Sequence, residues 1–348
     1  MSKKKGLIGA AVGVAAAGVA GAVAAQRVAV GRLRMRPDPY AAEPFGALRG
    51  RPVPVRTDDG VDLRVEVDGC EDAPVTVLFA HGWTLQQDSW HFQRRDLAGR
   101  ARLVFYDHRD HGRSGRSATR PVTMDRLADD LHAVIEATVP EGGRVVLAGH
   151  SMGGMTIMAL AERYPELFGD RVAGAALVGT SPGELSEVTL GLPMAVGKAY
   201  QVTASTTMAA LGKAHAIIDR GRAYGGDLAF LGMRYLGFGD PHASPTMIDF
   251  SEQMIRATPM DAIAEYYPVL MAHDKLAALD VLNKVPTLIV SGTRDRLTPP
   301  EHSAVIAEAV PSAHFMSIDG AGHMVMLEQH ALVTDALSQL LDRAAAGR

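Results

Sequence analysis

The chain has 348 residues, of which 47% are apolar and 21% charged, and its net charge is −4. That length and balance suit a soluble globular body with a sizeable core, and the weak negative charge argues against nucleic acid as a partner. The single cysteine, Cys70, excludes an intramolecular disulfide and a cysteine-based zinc site. Between Gly69 and Glu71-Asp72 it reads as part of a turn.

Residues 6–25, GLIGAAVGVAAAGVAGAVAA, carry no charge and follow Lys3, Lys4 and Lys5. Twenty residues of helix span about 30 Å, the thickness of a bilayer's hydrocarbon core. The expectation is a single membrane anchor over residues 1–25. Secretion after cleavage near Ala22-Val23-Ala24 and a loosely attached Ala-rich helix are the alternatives. Lysines before the segment balance Arg27, Arg32, Arg34 and Arg36 after it, so charge sets no orientation. Residues 26–50, with Pro37, Pro39 and Pro44, read as a linker.

From residue 51 the pattern changes. PVPVR (52–56) and VDLRVEV (61–67) alternate around Asp58-Asp59-Gly60, which predicts an antiparallel hairpin. Short apolar runs follow at 75–80, 102–107, 144–149, 173–179, 286–292 and 314–319, as expected of strands buried on both faces. Helix-period segments lie at 88–97, 124–138, 152–164, 301–310 and 327–345. Such alternation specifies an α/β fold, a mostly parallel sheet with helices on both faces. Residues 182–275 interrupt it with Ala, Met, Leu and Tyr at helical spacing. The expected division is a core over 51–181 and 276–348 with a helical insertion at 182–275.

Gly149-His150-Ser151-Met152-Gly153 has the G-x-S-x-G form, after a β-rich run and before the amphipathic MTIMALAERY. A sharp strand-to-helix turn exposes the serine hydroxyl, and glycines allow the close backbone approach it requires. Serine is a weak nucleophile without a base, and the base is a histidine oriented by a carboxylate. His323 lies in a Gly-rich loop after one predicted strand, and Asp295 follows another, PTLIV. Asp319 and Asp274 are the rival carboxylates. The N–H of Met152, at a helix start, and that of Trp83, after the strand 75–80, are the expected oxyanion donors. These groups need neither metal nor organic cofactor.

These motifs together resemble the α/β-hydrolase superfamily, in particular its cap-bearing serine esterases and monoacylglycerol-lipase-like members. The resemblance covers about residues 52–345. It rests on His81-Gly82-Trp83, on Asp107-His108-Arg109-Asp110-His111-Gly112-Arg113-Ser114, on GHSMGG at 149–154, on Gly292–Asp295 with Pro299, and on Gly322-His323. Asp110 stands where the family commonly has Gly, and Asp tolerates the left-handed conformation better than most residues. The resemblance implies that 182–275 caps the pocket and that the partner is a small, apolar ester. Haloperoxidase or perhydrolase, lactonase, thioesterase and C–C hydrolase chemistry use the same three side chains and stay open. A non-catalytic ligand-binding homologue is the remaining alternative.

Overall fold

The computed structural model describes residues 26–347 apart from 29, 119 and 223–225. The expected anchor at 6–25 lies outside the described residues, among which no helix is long and apolar enough to cross a membrane.

One eight-stranded sheet organises the body, in the order β1-β2-β4-β3-β5-β6-β7-β8. The strands are β1 Arg51–Arg56, β2 Asp62–Gly69, β3 Thr76–Ala80, β4 Arg102–Tyr106, β5 Val145–His150, β6 Val172–Val178, β7 Thr287–Gly292 and β8 His314–Ile318. β1 and β2 form the expected antiparallel hairpin, with Gly60 at φ +86° in its turn. From β4 to β8 every neighbouring pair is parallel.

The apolar runs work because both faces are covered. Leu78, Val104 and Leu147 pack into one core, against α2 (Met124–Thr138) and α3 (Met152–Arg163). Their chain neighbours Val77, Leu103 and Val146 face the opposite core, with α1 (His91–Leu97) and the helix His330–Ala346. Side chains alternate across a strand, so continuous hydrophobicity is what two buried faces demand. β8 is the exception. It is an edge strand whose first two residues are exposed, although HFMSID reads like the buried runs. The closing helix is also broken: Val325–Glu328 and His330–Ala346 meet at Gln329.

Among the described residues, five α-helices lie between β6 and β7: α4 Met194–Lys213, α5 His215–Arg222, α6 Gly226–Gly237, α7 Pro245–Ala257 and α8 Met260–Met271. α9 (Pro300–Ala309), α10 (Val325–Glu328) and α11 (His330–Ala346) complete the order.

Residues 30–50, which read as a linker, lie against the body. Val30 is buried in the second core, with Tyr40 and Phe45 packed at its margin. Glu43 accepts from His91 Nε2 (2.7 Å) and pairs with Arg95 (2.9 Å). Asp38 accepts from the Thr246 N–H and the Ser244 hydroxyl, both at 2.9 Å, at the start of α7.

Candidate active site

The turn at Ser151 is built by three glycines that admit no larger residue. A Cβ on Gly149 would lie 2.5 Å from the Gly153 carbonyl, and one on Gly153 would lie 2.2 Å from the Ala80 carbonyl. One on Gly154 would meet the Thr180 side chain at 2.6 Å. The strand therefore runs into α3 with almost no clearance, and Ser151 takes φ 52°, ψ −118°. A non-glycine residue there costs on the order of 1–3 kcal/mol, held in place by its surroundings. Those include the Thr180 hydroxyl, which donates to the Ser151 carbonyl at 2.7 Å, and the Ser151 N–H, which donates to Val178 O at 3.0 Å.

Asp295 and His323 meet beside this turn. Their Oδ2–Nδ1 separation is 2.8 Å, and both side chains are buried. Asp295 Oδ1 accepts the N–H groups of Leu297 and Thr298, each at 2.9 Å. Its Oδ2 also accepts from the Thr298 hydroxyl at 2.8 Å. The carboxylate is thus fixed by its own turn before it receives the imidazole. The rival carboxylates are engaged elsewhere: Asp319 accepts from the Thr293 hydroxyl at 3.1 Å, and Asp274 faces the Leu276 N–H. Ser151 and His323 both line a cavity of about 400 Å³.

The loop after β3 closes on the same point. A Cβ on Gly82 would fall 3.2 Å from the Ser151 Cβ, so the Gly82-Trp83 backbone passes directly over the serine. His108 N–H donates to His81 Nε2 at 2.9 Å, which makes Nε2 an acceptor and leaves the proton on Nδ1. That Nδ1–H donates to Gly82 O at 2.8 Å. The Trp83 carbonyl accepts from the Thr84 hydroxyl at 2.6 Å, and Thr84 turns away at φ 65°. Among the described residues no acceptor takes the Trp83 N–H or the Met152 N–H. Met152 opens α3, where the first N–H groups have no intrahelical partner.

The Asp107–Ser114 loop joins this arrangement through His108, whose N–H and ring both meet His81. Asp110 adopts φ 66°, the left-handed conformation expected of it. Asp107 accepts from the Gln87 N–H (2.7 Å) and the Arg113 N–H (2.9 Å). Buried Arg109 joins Asp130 of α2 to Asp59 of the hairpin turn. The hydrogen bond from Arg109 holds the Asp59 carboxyl well below its ordinary range.

Three features carry no local sequence signature. The Thr298 hydroxyl lies between Asp295 and His323, donating to Asp295 Oδ2 at 2.8 Å and standing 3.2 Å from His323 Nδ1. His150 Nε2 bonds to the His323 carbonyl at 3.0 Å. Glu328 accepts from the N–H groups of Gly239, Asp240 and Gly322, tying the His323 loop to the end of α6. The cavity wall is mostly apolar, with Trp83, Met155, Met233, Ile263 and Leu270 among its residues. Tyr200 and Tyr267, hydrogen bonded to each other, supply polar atoms within it. Among the described residues no cluster of His, Cys, Asp and Glu is arranged to hold a metal ion.

The chain is similar to proteins of one fold family. The family model for the alpha/beta hydrolase fold matches residues 75–329. A bifunctional esterase/perhydrolase of Acinetobacter calcoaceticus is 30% identical over 295 residues, covering 82% of this chain and 98% of that protein. A putative non-heme haloperoxidase of Mycobacterium phage D29 is 28% identical, over 81% of this chain and 92% of its own. Among solved structures, a thermophilic esterase from Thermogutta terrifontis superimposes with a TM-score of 0.67 at 26% identity, covering 86% of this chain and all of that one.

Proposed function

The chain belongs to the α/β-hydrolase family, and from that premise we propose that it is a serine hydrolase of carboxylic esters. Ser151 is its nucleophile, His323 its base and Asp295 its acid. The observation that carries the reading is the 2.8 Å Asp295–His323 contact beside a strained serine turn, on the wall of one apolar cavity. His323 takes the Ser151 proton as the hydroxyl adds to the ester carbonyl. Asp295 holds the imidazole by Nδ1 and stabilises the cation that forms. The N–H groups of Trp83 and Met152 receive the oxyanion. His323 returns its proton to the departing alcohol, leaving an acyl-serine. Water, deprotonated by His323, adds to that acyl group, and collapse releases the acid and the free serine.

The cavity favours an ester with an apolar acyl or aromatic group, since its roughly 400 Å³ are lined mainly by aliphatic, Met and aromatic side chains, with Glu252, Thr84 and Thr298 among the few polar ones. Perhydrolysis is the second reading, supported by the relative named a bifunctional esterase/perhydrolase. There, hydrogen peroxide replaces water on the acyl-serine and a peracid leaves. A fluorophosphonate probe tests the central claim: it labels the wild type and not Ser151→Ala. An unlabelled but folded wild type refutes it. Peroxide-dependent peracid formation from acetate esters separates the second reading from the first.

A further inference from the structure

The outer face of the inserted helices is unlike the rest of the surface. α4 runs for twenty residues, buries only Gly197 and Ala204, and contains two lysines and no acid. A helix that bare of charge and that little buried is not solvated as ordinary surface helices are. Met194 is 73% exposed, Val202 80%, Ile217 75% and Leu228 71%. α6 shows the division within one element: Ala229, Gly232, Met233 and Leu236 line the cavity, while Leu228 and Tyr235 are left outside.

The chain reaches this region from its N-terminal side. Arg34 binds Asp227 of α6 (3.0 Å) and Asp249 of α7 (2.9 Å), and its guanidinium lies 4.8 Å from the Phe230 ring centre. Arg36 donates to the Pro241 carbonyl at 3.0 Å. Residues 30–38 are therefore laid along the inserted helices. The uncharged stretch 6–25 ends nine residues before Arg34. Arg27 and Arg32, just after it, are exposed and make no ion pair among the described residues.

We propose that the outer face of the inserted helices is a membrane-docking surface: a lipid bilayer covers it, with the apolar 6–25 segment as the tether beside it. Large apolar side chains left in water on one part of the surface are strongly attracted to an apolar phase even before the tether is counted. Arg27, Arg32, Lys198 and Lys213 suit it to anionic headgroups. The cavity then lies one helix layer from the lipid, which directs it to esters that partition into bilayers. The proposal assumes the tether and adds the orientation, and neither depends on the reaction assigned to Ser151.

Site-specific depth measurement on the full-length chain separates these parts. The probe bilayers are phosphatidylcholine vesicles with and without phosphatidylglycerol, carrying nitroxide-labelled lipid. A fluorophore is placed at Val202→Cys or Leu228→Cys in a Cys70→Ser background, with circular dichroism matched to wild type. The reference is wild-type Cys70, exposed beside Arg102 at the opposite ends of the parallel strands. The expected result is flotation with the vesicles and quenching at 202 and 228 about threefold or more above that at Cys70. Flotation with equal quenching at all three sites overturns the orientation, and failure to float overturns the tether as well. A doubled mass in light scattering without vesicles, with the probes already blue-shifted, assigns the face to a second copy and overturns the proposal.

Discussion

At Ser151 the backbone is held where a side chain is costly, at φ 52°. Glycine occupies that region freely, so Ser151→Gly relieves the strain while removing the hydroxyl. Its expected effect is a gain of about 1–2 kcal/mol in unfolding free energy with loss of ester turnover. Thermal melting of Ser151→Gly against Ser151→Ala checks this, because alanine keeps the Cβ and so the strain. An equal melting temperature for the two would show that the turn carries no stored energy. Ser151, Asp295 and His323 could each be singled out in the sequence because each follows an apolar run and sits among glycines or beside Thr298-Pro299. Thr298 was not legible as a partner of His323. Its role depends on how the Asp295 turn folds back, which no local pattern encodes.

At the scale of elements, the His323 loop and the end of α6 touch backbone to backbone. A Cβ on Gly322 would lie 2.4 Å from the Gly239 N, and Met324 N–H donates to Gly237 O at 2.7 Å. Glu328 closes this contact with three accepted N–H bonds, although burial raises its pKa. Glu328→Gln keeps the size but halves the accepting capacity and adds a donor with no acceptor. It is expected to cost about 2–3 kcal/mol and to lower kcat more than it changes KM, since the base is displaced while the apolar wall remains. Steady-state kinetics beside urea unfolding checks both, and a stability loss with unchanged kcat would show that the loop holds without the glutamate. Strand existence could be read from hydrophobic runs, but strand position could not: HFMSID has the composition of a central strand and sits at the edge. The linker reading of 26–50 met the same limit. Its prolines are local, while the contacts of Asp38, Glu43 and Arg34 lie far away in the chain.

Over the whole molecule, acid is the weakness. His81, His108, His111 and His150 are fully buried, and burial lowers all four, His81 and His111 to about 4. Protonation is therefore easier in the unfolded chain than in the folded one. Their contribution is complete above about pH 6.5 and is lost as the pH falls toward 4. For His81 alone the loss approaches about 3 kcal/mol. Urea unfolding from pH 7 to pH 4.5 should show stability falling throughout that window. His111→Asn, which retains a donor for the Arg109 carbonyl, should make the slope shallower by about 1 kcal/mol per pH unit. An unchanged slope would mean that His111 does not titrate on unfolding.

The insertion between β6 and β7 also orders events in time. These two strands pair side by side, yet more than a hundred residues separate them. Joining them closes a long loop, and that entropy must be met before the pairing returns anything. Ser151 is synthesised ahead of the insertion, and Asp295 and His323 after it. A ribosome-bound chain thus holds Ser151 without either of these side chains until nearly its last helix. The onset of turnover during refolding then reports the closing of β7 onto β6, later than the bulk of the helical signal.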